Sequence, residues 1–382
     1  AATSGRGVVE PYAPLGELVG QLAGDGDGLL DGLGDTPRAA LRAVSGTAAP
    51  PAGLTRHQVI GALRRLLRAA AAGGPGALVV LDDAHEADEA TVDALAHLPV
   101  AGPRAVALVV AYRPERAAEP LQAAAARLAR AGATTIDLPP LADHDAAALV
   151  AAAAEARPSA EAVAEVVRLA EGNPFFLREL ATALGRDGGA PAQPSAWGAI
   201  ARRFVDLDAG TVAMLSRLAL AQDRLDAASV AALTGLTDDE AFALLDAALA
   251  AGVLLVEGEG YRFRHELVRR ALIERLAPHQ RVAVHRDAAR RLAAGGAPTA
   301  VVAHHWLAGG RPAEAAGWLL EAARRAVALG GFADALHHLD ALLGHEPGHA
   351  AARRLRAEAL DALGDPSAPA AYAAAAAAAG RD

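Results

Sequence analysis

The 382-residue chain has no lysine, no cysteine, one methionine, a single asparagine (Asn173) and only 3% aromatic residues. Each shortage excludes something. Without cysteine there are no disulfides and no thiolate metal sites. With all 36 basic residues arginine, the glycine-rich phosphate-gripping loop that ends in Lys-Ser/Thr cannot be built, because arginine's planar fork does not replace the lysine point charge. The joint scarcity of lysine and asparagine has the look of a GC-rich genome. Few aromatics within a 53% apolar, alanine-dominated composition favour closely packed helices over β-sandwiches. A formal net charge of −9 gives no global sign of a nucleic-acid or membrane surface. No run of about 18 apolar residues has the strength to span a bilayer, and the alanine tract around Ala373 is too short and too weakly hydrophobic. The first residues carry no basic-plus-apolar leader. The expectation is a cytoplasmic protein without membrane contact, and the opening on Ala1 without methionine points to a fragment.

What is present begins with alternation. Leu54–Ala72 has an apolar stripe at Val59, Ile60, Leu63, Leu66 and Leu67, which predicts a helix ended by Gly73-Gly74-Pro75-Gly76. Ala77–Asp82 predicts a strand, Asp88–Leu98 a helix, Ala105–Ala111 a second buried strand, Leu121–Ala131 a helix and Thr134–Leu138 a short β-rich segment. Strand and helix in alternation imply a parallel αβ sheet, whose strands are buried on both faces. From Asp143 the strand signal stops. Helices are expected over Asp143–Ala156, Ser159–Glu171 and Pro174–Leu184, then a Gly/Pro-rich linker over Gly185–Ser195. Asp208–Gln222, Ala227–Leu233 and Asp238–Ala251 read as three helices. Val253–Val256 and Tyr261–Arg264 read as a hairpin joined by Glu257-Gly258-Glu259-Gly260, and three helices with a hairpin make a winged-helix pattern. The remainder reads as short helices, with Gly330 and Gly364 set apart by about 34 residues, the tetratricopeptide period.

The sharpest chemical signal is Asp82-Asp83, closing the apolar run Leu78–Leu81. Ligands of parallel sheets gather at the carboxyl ends of strands. Carboxylates there can hold Mg²⁺ and orient water against a nucleotide, although aspartate is also common in surface turns after strands. Gly172-Asn173-Pro174 reads locally as a helix start, Asn as cap and Pro at the first position. The pairs His304-His305 and His337-His338, with His85 and His265, lack the i, i+4 spacing of a helical metal site.

The segment Leu78–His85, Leu-Val-Val-Leu-Asp-Asp-Ala-His, resembles the Walker B segment of STAND-class ATPases, in particular the large ATP-binding LuxR-type transcriptional regulators. Leu108–Pro114 resembles their sensor strand with its arginine, Glu171–Leu177 their GxP motif, and Tyr261–Arg269 the segment leaving their winged-helix domain. The resemblance implies Asp82 as the Mg²⁺ ligand, Asp83 as the acid that polarises the attacking water, Arg113 as the sensor arginine near the γ-phosphate, and Asn173 and Pro174 as nucleotide contacts, with Pro174 on the adenine. Glu86 departs from the family, which places an aromatic, usually Trp, after the histidine. The phosphate loop and the C-terminal helix-turn-helix are missing.

The implied fold class is α/β followed by all-α: a truncated P-loop NTPase parallel sheet (residues 1–142), a helical lid (143–190), a winged helix (196–276) and TPR-like helical repeats (277–382). The implied function is the core of an ATP-dependent transcriptional regulator that couples ATP and Mg²⁺ to an unidentified small-molecule or protein effector. Self-association is compatible with it, and DNA contact is assigned to the missing C-terminal domain alone. The stretch Thr237–Ala251, where a recognition helix would lie, carries four acids and no base, which opposes phosphate contact. The alternative is a non-enzymatic helical-repeat interaction module with a dead nucleotide pocket.

Overall fold

The computed structural model describes residues 10–23, 28–72, 76–98, 106–154, 157–182, 184, 204, 207–222, 224–258 and 260–379. It contains two compact units, one formed by residues 1–134 together with 288–382 and the other by residues 135–287.

In the first unit, helices α1 (Ala13–Ala23), α2 (Gly28–Asp31), α3 (Asp35–Val44) and α4 (Arg56–Ala72) precede strand β1 (Ala77–Leu81). Helix α5 (Glu89–Leu95), strand β2 (Val106–Val110) and helix α6 (Glu119–Arg130) follow. The stripe read from the sequence is the buried face of α4: Val59, Leu63 and Leu66 are fully covered and Ile60 and Leu67 nearly so. β1 and β2 pair in parallel, Ala77 opposite Val106 through Leu81 opposite Val110.

The expectation of burial on both sheet faces is corrected. Val79, Leu81 and Val106 enter the core, while Leu78, Val80 and Val109 remain 64%, 50% and 49% exposed. An alternating side-chain direction sends every second residue of each strand to the other face, and among the described residues no helix covers that face. The β-rich segment Thr134–Leu138 forms no strand either, with Ile136 and Leu138 open to solvent. An extended segment needs a neighbouring backbone to become a strand.

The C-terminal helices of this unit are α15 (Thr299–Ala308), α16 (Pro312–Ala328), α17 (Phe332–His345), α18 (Ala350–Ala362) and α19 (Ala368–Ala379). Alanines at 315, 316, 322, 323 and 326, with Leu319, form the buried face of α16 and allow α17 to approach closely. The Ala-rich helix expected at the end of the chain is α19, although its alanine run has no polar-apolar period to mark its bounds. These helices share the N-terminal core: Leu329, in the turn after α16, is buried in the same cluster as Tyr12, Leu41 and Leu95. At that turn Arg325 donates to Glu10 at 3.1 Å and to the Ala43 carbonyl at 3.0 Å.

The second unit opens with α7 (Asp143–Ala153), α8 (Ala160–Ala170) and α9 (Pro174–Thr182), packed around Val150, Val166, Leu177 and Leu180. It continues with α10 (Ala209–Ala221), strand β3 (Arg224–Leu225), α11 (Ala227–Thr234), α12 (Asp238–Ala250), the hairpin β4 (Leu254–Glu257) and β5 (Gly260–Phe263), and α13 (Glu266–Glu274). Helix α14 (Pro278–Ala294) leads out of it. The antiparallel sheet has the order β3-β5-β4. The two-residue β3 was not legible in the sequence, because two residues cannot display a period. A reciprocal Thr237–Glu240 capping box fixes the start of α12. The linker expected over Gly185–Ser195 and the helix end expected at Gly73–Pro75 lie outside the described residues. No helix among the described residues is long and apolar enough to cross a membrane.

Gly172 shows how tightly the α8–α9 turn is built. Its φ is +71°, and a Cβ there would stand 2.6 Å from the Leu141 carbonyl oxygen, while the Leu141 amide donates to the Gly172 carbonyl at 2.9 Å. Left-handed strain and a backbone clash act together, so Gly172→Ala should destabilise the second unit by about 2 kcal/mol or more. Urea unfolding followed by a probe in α9 would measure it, and a loss under about 0.5 kcal/mol would show that the turn relaxes freely.

Candidate nucleotide-binding site

The site is built where β1 and β2 end side by side. Beyond the strands the ladder runs one step further, with the Ala111 amide donating to Leu81 at 2.8 Å and the Ala84 amide donating to Ala111 at 2.9 Å. This stitches the Asp82-Asp83 turn to the residues leading into Arg113. Asp83 adopts a left-handed conformation, φ +48° and ψ +37°. Aspartate is among the few non-glycine residues that tolerate that region. Its amide donates to the Asp82 carboxylate at 2.9 Å. The turn therefore presents two adjacent carboxylates at the carboxyl end of a parallel strand, with Asp82 exposed.

His85 ties this turn to the second strand end. Its side chain is 1% exposed, and its Nδ1 accepts from the Arg113 amide at 3.3 Å. That bond places the neutral ring's proton on Nε2, which is buried without a hydrogen-bond partner. Nε2 lies 3.9 Å from the Asp83 carboxylate and 4.0 Å from that of Glu86. Burial lowers the His85 pKa below its usual 6.5, and the Arg116 guanidinium lowers it further, while Asp83 and Glu86 oppose the shift. Glu86 pairs with Arg116, so the acid standing where an aromatic was expected is held by an ion pair instead of by packing.

The structure thus brings Asp82, Asp83 and Arg113 to one sheet end, with the Arg113 side chain exposed. Sequence reasoning singled out those three and passed over His85 as a ligand, which left its bridging position unread. The signal available was its place between two strand-end motifs. Asn173 and Pro174 belong to the second unit. The Asn173 Oδ1 accepts from the amides of Phe175 at 3.0 Å and Phe176 at 3.4 Å, and Pro174 is the first residue of α9, so both perform the helix-start role.

Comparison with known proteins supplies one further finding. Residues 2–111 match the family of AAA ATPase domains. The N-terminal region is similar to an AAA ATPase domain. Such domains in general bind nucleotide and Mg²⁺, and the two carboxylates at the end of β1 suit a hard, oxygen-seeking cation. No curated protein matches the chain. Among solved structures it is similar to a Signal Transduction ATPase with Numerous Domains (STAND) protein with a tetratricopeptide repeat sensor from Pyrococcus horikoshii. That likeness has 15% identity and a TM-score of 0.46, over 91% of this chain and 57% of the other, so this chain spans little more than half that protein's length. Two RuvB variants from Thermotoga maritima overlay with 15% identity over 68% of this chain and 97% of theirs, at TM-scores of 0.24 and 0.25.

The buried imidazole gives a titration prediction. His85 should protonate below pH 6.5 in the folded chain and near the ordinary value when unfolded. The unfolded chain then binds more protons, so His85 contributes stability that is present above pH 6.5 and is lost as pH falls through its folded pKa. Arg116→Gln removes the second cause and should move the midpoint upward. Carbon-13 histidine shifts measured across pH 4–8 report it, and an unmoved midpoint would show that Arg116 does not act on the ring.

Proposed function

We propose that this chain is the core of a STAND-class regulatory ATPase of the kind found in large ATP-binding LuxR-type transcriptional regulators. The observation that carries the reading is the Asp82-Asp83 turn on one parallel strand, tied through His85 to the strand end that bears Arg113, within the region similar to AAA ATPase domains. In this reading Asp82 holds Mg²⁺, Asp83 orients the attacking water, and Arg113 meets the γ-phosphate through a charge-assisted contact. Bound Mg²⁺ would neutralise phosphate charge. Asn173 and Pro174 would meet the nucleotide base. Helices α10–α12 with the β4–β5 hairpin act as a winged helix that transmits the nucleotide state, and α14–α19 act as a TPR-like arm that receives a small-molecule or protein effector in the cytoplasm.

The fit is partial. The carboxylates suit the metal, but a chain without lysine supplies no phosphate-gripping loop. That shortage favours the second reading, a helical-repeat interaction module with a dead nucleotide pocket, for the chain by itself. Acids alone repel a polyphosphate, and backbone amides and lysine supply most phosphate contacts.

The two readings separate experimentally. By titration calorimetry the chain alone should bind ATP·Mg no tighter than about 1 mM, on the scale where 1 mM corresponds to only about 4 kcal/mol. In a longer protein that carries a phosphate loop, the same core should bind and hydrolyse ATP. Asp83→Asn in that longer protein should lower turnover by roughly 100-fold or more and leave ATP affinity within about threefold, because water orientation acts in the transition state. Equal losses in binding and turnover would make Asp83 structural. A longer protein that binds no ATP would leave the interaction module standing.

A further inference from the structure

Within the second unit, the α7–α9 bundle has a core of its own. That core gathers Val150, Val166, Leu177 and Leu180 and, among the described residues, draws on positions 141–184 alone. Farther along the chain α10 packs on α13, and their buried residues include Leu215, Leu218, Val268 and Leu272. A pair of rings joins the two parts. Phe175, at the second position of α9, lies over His265, the cap of α13, with centroids 3.8 Å apart and planes 20° from parallel. Both residues are half-buried. Nearly parallel rings at that distance are in full dispersion contact.

Each ring is anchored on its own side. Phe176 meets Phe175 edge-on, with centroids 5.6 Å apart, and packs against the α7–α9 core. The Phe175 amide donates to the Asn173 Oδ1 at 3.0 Å. The His265 Nδ1 accepts from the Leu267 amide at 3.1 Å. The His265 carbonyl accepts from the amides of Val268 at 2.9 Å and Arg269 at 3.2 Å. Contact is therefore continuous from the bundle core through Phe176, Phe175 and His265 to the first turn of α13.

We propose that Phe175 and His265 form a clasp between the α7–α9 bundle and α13, so that a change at the α8–α9 turn reaches the start of α13 through these two rings. Dispersion attraction is short-ranged: an added gap of about 0.5–1 Å forfeits a quarter to a half of it. A displaced Phe175 thus parts from His265 instead of stretching the contact. The turn cannot absorb the displacement, because Gly172 is wedged against Leu141. Glu171, Asn173 and Pro174 lie exposed beside the stack, so a contact made on that turn acts on the clasp without entering either core. The clasp stands whether or not Pro174 meets a nucleotide base.

Amide hydrogen exchange on the full chain tests it, with the Leu267 amide as reporter because it donates to His265. Protection is read relative to the Val230 amide, which donates to the Asp226 carbonyl at 3.0 Å in the first turn of α11. Asn173→Ala removes the side-chain bond to the Phe175 amide and should lower Leu267 protection at least about threefold. In a Phe175→Leu background, which keeps an apolar side chain but no ring, Asn173→Ala should change it by less than about 1.5-fold. An unmoved Leu267 amide in Asn173→Ala overturns the clasp, as does an equal fall in the Phe175→Leu background, which routes the coupling elsewhere. A fall shared in full by Val230 is general loosening and overturns it too. If Asn173→Ala does not fold, single changes at Phe175 decide. Loss of Leu267 protection with Phe175→Leu and its retention with Phe175→Tyr support the clasp, and any other pattern overturns it.

Discussion

One carboxylate organises the first unit. Asp88 lies just past the candidate site, at the exit of the turn that begins with Asp82, and it caps α5 while gathering the amides that open α1. A charge-assisted hydrogen bond contributes about 1.5–3 kcal/mol, and breaking a buried network leaves every donor unpaired. The left-handed Tyr12, φ +63° and fully buried, is tolerated because its amide is held there. The site turn, the N-terminal helices and, through Asp334, the C-terminal helices meet at this point. They are joined there by backbone amides that donate to the two short aspartate side chains.

Among the described residues the sheet beside this knot has two strands. A parallel sheet normally has both faces covered, and two strands alone are too few for independent stability. Here α4 covers one face and the other presents Leu78, Val80 and Val109 to solvent. Asp82, Asp83 and Arg113 stand at the end of these two strands, and the apolar face beside them is open among the described residues.

Legibility in the sequence followed length and period. The helix over Arg56–Ala72 and both strands were readable because a stripe or an uninterrupted apolar run marked each of them. Asp82 and Asp83 stood out for the same reason, as residues immediately following a strong strand, whereas Arg113 was singled out through the family resemblance. What stayed hidden depends on contacts across the chain. The Asp334 carboxylate sits 244 residues from one of the amides it holds, and nothing local distinguishes it from a solvated helix-start acid. His85 looked like one histidine among several, and only the pairing of β1 with β2 shows that it spans their ends. The open sheet face also escaped, since Leu78 and Val80 are as apolar as their buried neighbours.

In the second unit the same kind of long-range contact joins two motifs that the sequence presented separately. The Phe175 ring, just inside the start of α9, stacks on His265 with centroids 3.8 Å apart and planes within 20°. His265 caps α13, its Nδ1 accepting from the Leu267 amide at 3.1 Å, so its ring cannot turn without giving up that cap, a loss of about 1 kcal/mol. Phe175 is equally constrained, because its amide is bound by the Asn173 side chain and the preceding Gly172 is wedged against Leu141. With both rings fixed by their backbones, displacement at the start of α9 carries directly to the start of α13. The start of α9 and the helix that leaves the hairpin are therefore joined through one stacked pair of rings.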